Sequence, residues 1–563
     1  MAVLEKYTWI IALISIAFCV SSFGNGANDV ANSYATSVAA RTLSMPQAGI
    51  LAMITEFVGA VALGSRVTGT IRNSVIDLKH FVAKPATLIL TMACTEFGSA
   101  CWLIFATRFG FPVSTTQTVV GALIGAGIAA GAKVQWSWKT GSVSQIAASW
   151  AIAPLIAAGF AAILFGTIKF GILQRKDPFK WGMRLIPVYL SFTAAVLALF
   201  MVVEVPGGDS LAQFGAGKAI GIILGVFFGV LVFIYVFFIP YLHRRMVRED
   251  TRVGVWHIPL GPLLWRENPP LYFPAKGKRV VKDYSGGARI VHQSKELAPT
   301  LSQDTQMIAA KGVHMSTPDI NKEVSDESSL DPPAPIGARE RLLGPTEGKP
   351  IYHPARAFAW VKYTFLRGIS KECVTFDADQ LHAIHSHAAI YDNKVEHLWT
   401  YAQVASAMIM SIAHGSNDVA NAVAPWVAAY DTFITGKVTS KVGTPVWILV
   451  IAGFLLGTGF WFFGYHIIRA LGNRITRVSP TRGFSIELGA AITVLLASQL
   501  ALPVSTTQCL TGAAVGVALM NFDLAAVNWK QLAYIFSGWV LTLPCAGLIA
   551  GLLMAMALNT PHF

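Results

Sequence analysis

The sequence predicts an all-α polytopic membrane protein of about twelve transmembrane or re-entrant segments, arranged as two inverted-topology repeats with paired helical hairpins. Three observations predict it. Of the 563 residues, 54% are hydrophobic and only 13% are charged. The apolar residues gather in runs of membrane-crossing length, and two motifs each occur twice, in the same order and at nearly the same separation.

The runs can be taken in chain order. The first, near 7–23, leads into "GNGANDVANS" at 24–33; no Arg-rich transit sequence or small-residue cleavage site precedes it, so it reads as a mature helix. Runs near 46–65, 85–106, 144–168 and 183–203 follow, with a shorter segment near 113–131. Ala219 to Pro240 is 22 residues without a charge, enough as a helix to cross about 30 Å of hydrocarbon. After residue 241 the material changes. The stretch 242–397 contains "ENPPLYFPAKGKR" and "SDESSLDPPAPIGARER", has no long apolar run, and reads as a largely disordered cytoplasmic insertion. Near its end Phe358, Val361, Phe365 and Ile369 fall at helical spacing among Arg356, Lys362, Arg367 and Lys371. That is the pattern of an amphipathic helix on the inner leaflet, or equally of a packed helix in a small cytosolic subdomain. Apolar runs resume near 398–414, 444–468, 484–501 and 531–558, with a short segment near 504–520. The division is therefore 1–241, a first membrane repeat with linking helices; 242–397, the cytoplasmic loop; and 398–563, the second repeat.

Charge argues for a membrane partner and against nucleic acid. The formal net charge is +13, yet the loop is nearly balanced, with 21 Lys and Arg against 18 Asp and Glu. Basic residues cluster instead in short connections, at Arg175, Lys176, Lys180 and Arg184, and at Arg469, Arg474, Arg477 and Arg482. If each segment crosses once, these clusters share a side with the central loop. The positive-inside rule makes that side cytoplasmic and both termini extracellular, although Arg66, Arg72, Lys79 and Lys84 dissent on the outer side. The six cysteines show no CxxC spacing and read as buried thiols. There is no Walker A, HExxH or GxSxG pattern, so an enzyme is not expected.

The repeats carry most of the information. "GNGANDVANS" at 24–33 returns as "AHGSNDVANA" at 413–422, and "PVSTTQ" at 112–117 returns letter for letter at 503–508. Asp29 precedes Pro112 by 83 residues and Asp418 precedes Pro503 by 85. Glu96 and Glu487 each precede their proline by 16 residues, and Gly121 and Gly125 match Gly512 and Gly516. Seven segments separate the starts of the copies, so an odd number of crossings inverts the second copy, the common plan of secondary transporters.

Each motif has a chemical reading. Proline followed by Ser-Thr-Thr in an apolar stretch interrupts one helix and starts another, bringing hydroxyls and unpaired N–H groups together at a partially positive helix end. Two such ends near the bilayer midplane form an anion site, and phosphate is the anion best matched to several converging donors. The candidate donors are Ser114, Thr115, Thr116, Ser505, Thr506 and Thr507. Asp29, Asp418, Glu56, Glu96 and Glu487 also lie within or at the ends of apolar segments, where an acid costs several kcal/mol unless paired or hydrated. A cation beside the anion resolves the conflict, with neutral oxygens from Asn28, Asn32, Asn417, Asn421, Gln117 and Gln508 completing its shell. Sodium and a proton both fit this chemistry, and either produces symport, because each ligand cancels the other's charge. Glu56 aligns with Gly453, and Asn25 with His414, so the halves are not identical. Glu56 is then an ion-site candidate, or an acid paired with Arg66 or Arg72; His414 reads as a hydrogen-bonded helix histidine or a group that titrates near neutral pH.

These residues resemble a known family. "GANDVAN" with "GSNDVAN", and the paired "PVSTTQ" stretches, are similar to the inorganic phosphate transporter (PiT) family, and the long insertion resembles its fungal-type sodium/phosphate symporters. The resemblance implies that Ser114, Thr115, Thr116, Ser505, Thr506 and Thr507, with Asp29 and Asp418, contact phosphate and sodium, and that Glu56, Glu96 and Glu487 are the transport-critical glutamates. It implies a plasma-membrane homodimer that imports inorganic phosphate with co-transported sodium by elevator-like or rocking alternation, with no cofactor. Proton coupling, another oxyanion such as sulfate, and a phosphate-sensing role are the alternatives.

Overall fold

The computed structural model describes residues 3–64, 75–138, 142–204, 215–275, 281, 284, 338–374, 379–439, 443–500 and 502–560. Among these the chain is helical throughout, apart from one isolated β-bridge between Ile76 and Val134. The first part holds α1 (Thr8–Asn28), α2 (Val30–Ala39), α3 (Met45–Leu63), α4 (Pro85–Arg108), α5 (Thr115–Ala129), α6 (Val143–Ile168), α7 (Pro178–Glu204) and α8 (Ala216–Phe233). The central segment contributes α9 (Ala338–Leu343), α10 (Pro354–Leu366) and α11 (Asp379–Ser386). Then come α12 (Asn393–Thr435), α13 (Val446–Phe463), α14 (Tyr465–Leu471), α15 (Pro480–Gln499), α16 (Thr506–Leu519) and α17 (Trp529–Asn559).

Eight helical runs among the described residues are long and apolar enough to cross a membrane. The helices α5 and α16, at 15 and 14 residues, are apolar but short. The helices α12 and α15 are long enough but carry buried charge, Glu396 in the first turn and Asp418 in the interior of the first, Arg482 in the first turn and Glu487 in the interior of the second.

Matching segments pack in matching ways. Helix α1 lies along α4 and α13, and α12 lies along α15 and α3; α5 packs on α17, and α16 on α6. The last two contacts are backbone-close. A Cβ on Gly125 would come 1.9 Å from the Gly547 carbonyl oxygen, and one on Gly516 would come 2.3 Å from that of Ala158, so only glycine fits at either place. Each short helix is thereby clamped to a long one just beyond its proline motif.

The copies differ in one respect, and one expectation changes. The motif at 413–422 sits inside the unbroken 43-residue α12, whereas the copy at 24–33 is divided, α1 ending at Asn28 and α2 beginning at Val30. And the thiols are not uniformly buried: Cys94, Cys373 and Cys509 are, but Cys19 and Cys101 lie on exposed helix faces and Cys545 is intermediate.

The compact membrane unit comprises Met1–Tyr284 and Glu372–Phe563, and Ser285–Lys371 forms a unit of its own. The segment read as a largely disordered loop holds structure at its edges, a 3₁₀ run at Val255–Trp265 and α9 to α11; residues 285–337 lie outside the described residues. In the membrane unit Arg244 anchors the turn that follows the last long helix of the first part. It donates to Asp250 and to the Leu264 and Glu267 carbonyls, while Arg252 and Arg244 together hold the Asp250 carboxyl down at about 2. In α10, Phe358, Val361 and Phe365 share an exposed face; Ile369 lies past the helix end and is buried, so the predicted stripe is one residue shorter.

Candidate functional site

Both proline motifs build the same local structure. Residues 111–114 and 502–505 are extended, and the helix after each begins at a threonine. Proline supplies no N–H to continue the preceding helix, and serine supplies the cap: the Ser114 hydroxyl accepts from the Gln117 backbone N–H, and Ser505 accepts from that of Gln508. Ser114 and Ser505 thus fix the helix starts on which the threonines are mounted.

The two starts meet each other and both aspartates. Thr116 Oγ1 donates to the Val504 carbonyl at 3.1 Å, and Thr507 Oγ1 lies 3.2 Å from the Val113 carbonyl, so each non-helical segment runs past the other's helix start. Asp29, at the division between α1 and α2, accepts from the Thr115 backbone N–H at 3.1 Å, the Thr115 hydroxyl at 2.6 Å and the Thr507 hydroxyl at 2.8 Å. Asp418 accepts from the Thr506 hydroxyl at 2.7 Å. Asn32 reaches Thr507 at 2.7 Å, and Asn421 reaches Thr115 at 2.8 Å and Thr116 at 3.2 Å. One level out, Asn28 donates to Thr107 as Asn417 donates to Ser498, tying each motif to the helix before the proline. Every sequence-predicted site residue is at most 4% exposed.

Among the described residues a set of buried oxygens here has no donor: Asn32 Oδ1, Asn417 Oδ1, Gln117 Oε1, Gln508 Oε1 and Asn25 Oδ1, and both oxygens of Glu96 apart from the Ser21 hydroxyl alongside. An orphaned buried carbonyl costs about 1–3 kcal/mol, and a cation removes that cost without needing a donor. The donor set is all oxygen, which suits a hard cation. The nearest cluster of potential ligands with a nitrogen is Asp29, His414 and Asp418, whose ligand atoms lie within 4.8 Å of one another.

The predicted glutamates separate into three environments. Glu56 accepts from the Ser411 hydroxyl at 2.6 Å and lies 2.7 Å from His414 Nδ1, while His414 Nε2 is 3.0 Å from Asp418. The two residues that have no mirror image in the other half therefore pair with each other. Arg66 and Arg72, the other partners considered for Glu56, lie outside the described residues. Glu487 is held by Thr36, Ser37 and Ser406 at 2.6 Å each and by Gln403 at 3.4 Å. Glu96 has no such cage, and among the described hydrogen bonds neither it nor Glu487 joins the aspartates directly.

Sequence reasoning did not list His414, Ser411, Thr36, Ser37, Gln403 or Ser406 in the site. His414 carried a signal, its alignment with an unlike residue, Asn25; the hydroxyls carried none, since Ser and Thr are ordinary in membrane helices.

Comparison with known proteins adds the lineage. Residues 25–550 match the model of the phosphate transporter family. The phosphate-repressible phosphate permease pho-4 of Neurospora crassa is 40% identical over an alignment covering 100% of this chain and 99% of its own. The human sodium-dependent phosphate transporter 1 is 28% identical, with 98% and 96% covered. A solved structure titled "The sodium-dependent phosphate transporter" shares the fold at a TM-score of 0.64, with 23% identity and 98% of this chain covered.

Proposed function

The chain belongs to the phosphate transporter family, and from that premise we propose that it is a secondary active symporter that imports inorganic phosphate coupled to sodium by alternating access. One observation carries the reading: threonine hydroxyls from both proline motifs converge on the aspartates of both NDVAN motifs, beside buried oxygens that lack donors.

The mechanism follows from charge. When phosphate enters, its own O–H groups take the place of the threonine hydroxyls on Asp29 and Asp418, and the freed hydroxyls of Thr115, Thr506 and Thr507, with Thr116 turned from the Val504 carbonyl, donate to the phosphate beside N–H groups of the helix ends that Ser114 and Ser505 cap. Sodium is held by oxygens of Asp29, Asp418, Asn28, Asn32, Asn417, Asn421, Gln117 and Gln508, with Glu56, Glu96 and Glu487 serving further ions. Without cations the acids repel phosphate; with them, each ligand raises the affinity of the other. Two sodium ions with one monovalent phosphate would carry one net charge, worth about 2.3 kcal/mol per 100 mV.

The matched packing of the two parts supports two inverted repeats, 1–241 and 398–563, flanking a cytoplasmic loop at 242–397. Counting α5, α12, α15 and α16 with the eight apolar runs gives the twelve segments. A plasma-membrane homodimer with extracellular termini completes the proposal.

A second reading has its own observation. The Glu56 and His414 pair, hydrogen-bonded at 2.7 Å with the other ring nitrogen 3.0 Å from Asp418, is a place a proton can occupy, which favours proton coupling. Labelled phosphate uptake into proteoliposomes with sodium and pH gradients imposed separately distinguishes the two, and excess sulfate tests the anion: sulfate has no proton to give the aspartates and should compete poorly.

A further inference from the structure

Two cavities meet where α4 ends. The first, of about 360 Å³, is lined by Arg108, Arg469, Arg474, His466, Gln531 and Tyr534. The second, of about 520 Å³, runs along α1 and α4 past Ile16, Val20, Ile104 and Phe105 and is almost wholly apolar. They share Arg108 and Phe109, and no Asp or Glu lines either one.

The basic end offers cationic donors to an anion at a place apart from the paired proline motifs. Arg108 and Arg474 are exposed, and among the described residues neither has an ion-pair partner. Arg469 uses two N–H groups on the Glu372 carbonyl, which holds its guanidinium in place and leaves further donors. Gln531 and Tyr534 sit in the first two turns of α17, which opens on the exposed Trp529, so this end lies where a long apolar helix begins and headgroups are met. The residues of the phosphate site are all elsewhere.

The apolar end gives the ligand its other half. Ile16, Phe105 and Phe109 are 60%, 51% and 61% exposed. From Phe97 to Arg108 the groove follows twelve residues of α4, about 16 Å at helical rise, which is close to the reach of one acyl chain. A free anion would fill only the first cavity, and an apolar partner only the second.

We propose that these joined cavities are a binding site for an anionic phospholipid, its phosphate held by Arg108, Arg469 and Arg474 and one acyl chain lying along Ile16, Val20, Ile104 and Phe105. The site belongs to the membrane unit as such and is independent of which ion drives transport. Because Gly110 borders the basic cavity and Asn28 holds the Phe111 carbonyl, an occupied site braces the strand that leads to Ser114.

Native mass spectrometry of the full-length protein released from nanodiscs tests this, with phosphatidylserine or phosphatidylinositol titrated into phosphatidylcholine. The expected result is a retained anionic lipid on each protomer, with retention falling on the order of tenfold in an Arg108→Ala/Arg474→Ala variant. Ile104→Trp, which fills the groove and keeps the arginines, should lower it too and serves if the double variant does not assemble. Equal retention of phosphatidylcholine, or unchanged retention in both variants, overturns the proposal. So does displacement of the lipid by inorganic phosphate, which would make the basic cavity a substrate vestibule. A shift from dimer to monomer in Ile104→Trp with lipid retention unchanged overturns it as well, assigning the groove to a second copy of the chain.

Discussion

Thr507 holds more of the site together than Thr506 does. Its hydroxyl bridges Asp29, Asn32 and the Val113 carbonyl, whereas that of Thr506 meets Asp418. Thr507→Val keeps the shape and leaves a buried aspartate and amide short of partners, so phosphate uptake at subsaturating substrate should fall at least about tenfold, and by more than in Thr506→Val. Equal losses would show that the hydroxyls act only on the anion. The Glu56 and His414 pair makes a second residue-scale prediction. Glu56→Gln and His414→Asn should each cut uptake while the protein still reaches the membrane, and the double variant should be scarcely worse than either, a coupling on the order of 1–3 kcal/mol. Additive losses would mean that the two act separately. That Asp29, Asp418 and the four threonines gather in one place could be anticipated from the sequence because each occurs twice, whereas Ser114 and Ser505, read there as donors, cap the helix starts. The pairing of Glu56 with His414 was not, because alignment shows that both lack a mirror image and cannot show that they touch.

At the scale of the elements, the short helices owe their position to glycine. Gly125→Ala forces a Cβ toward the Gly547 carbonyl and should cost about 1–3 kcal/mol, read as a lower thermal midpoint and less folded protein. Gly159→Ala is the control, since among the described residues nothing beyond its own helix turn lies within 4 Å of the added Cβ, and it should be neutral or slightly stabilising. Helix α11 should respond to pH. Burial pushes the His385 imidazole down to about 4 while it contacts the Asn473 carbonyl. Above its ordinary value of 6.5 the ring is neutral folded or unfolded and the contact is at full strength; between 6.5 and 4 only the unfolded state takes the proton, so stability is lost as pH falls. Hydrogen exchange in Asp379–Ser386 should therefore quicken from pH 7.5 to 5, and His385→Gln should flatten the change. Sequence periodicity gave the long apolar helices well. It could not show that α12 runs unbroken through its motif while α1 stops at Asn28, since "NDVAN" is the same in both. Nor could it assemble the Glu487 cage, whose donors come from α2 and α12, far apart in the chain.

For the whole molecule, what counts is that one buried network is made from both parts of the chain. Neither part alone has the site: Thr507 serves Asp29, and Asn421 serves Thr115. A network shared in this way lets binding on one part be felt by the other, which alternating access needs. The central claim is that phosphate and sodium share it. Labelled phosphate uptake into proteoliposomes of the purified protein, driven by a sodium gradient at equal pH and separately by a pH gradient without sodium, tests that claim most directly. The account predicts accumulation with sodium alone, abolished in Asp418→Asn. Accumulation under a pH gradient in the absence of sodium, with none added by a sodium gradient, would contradict it.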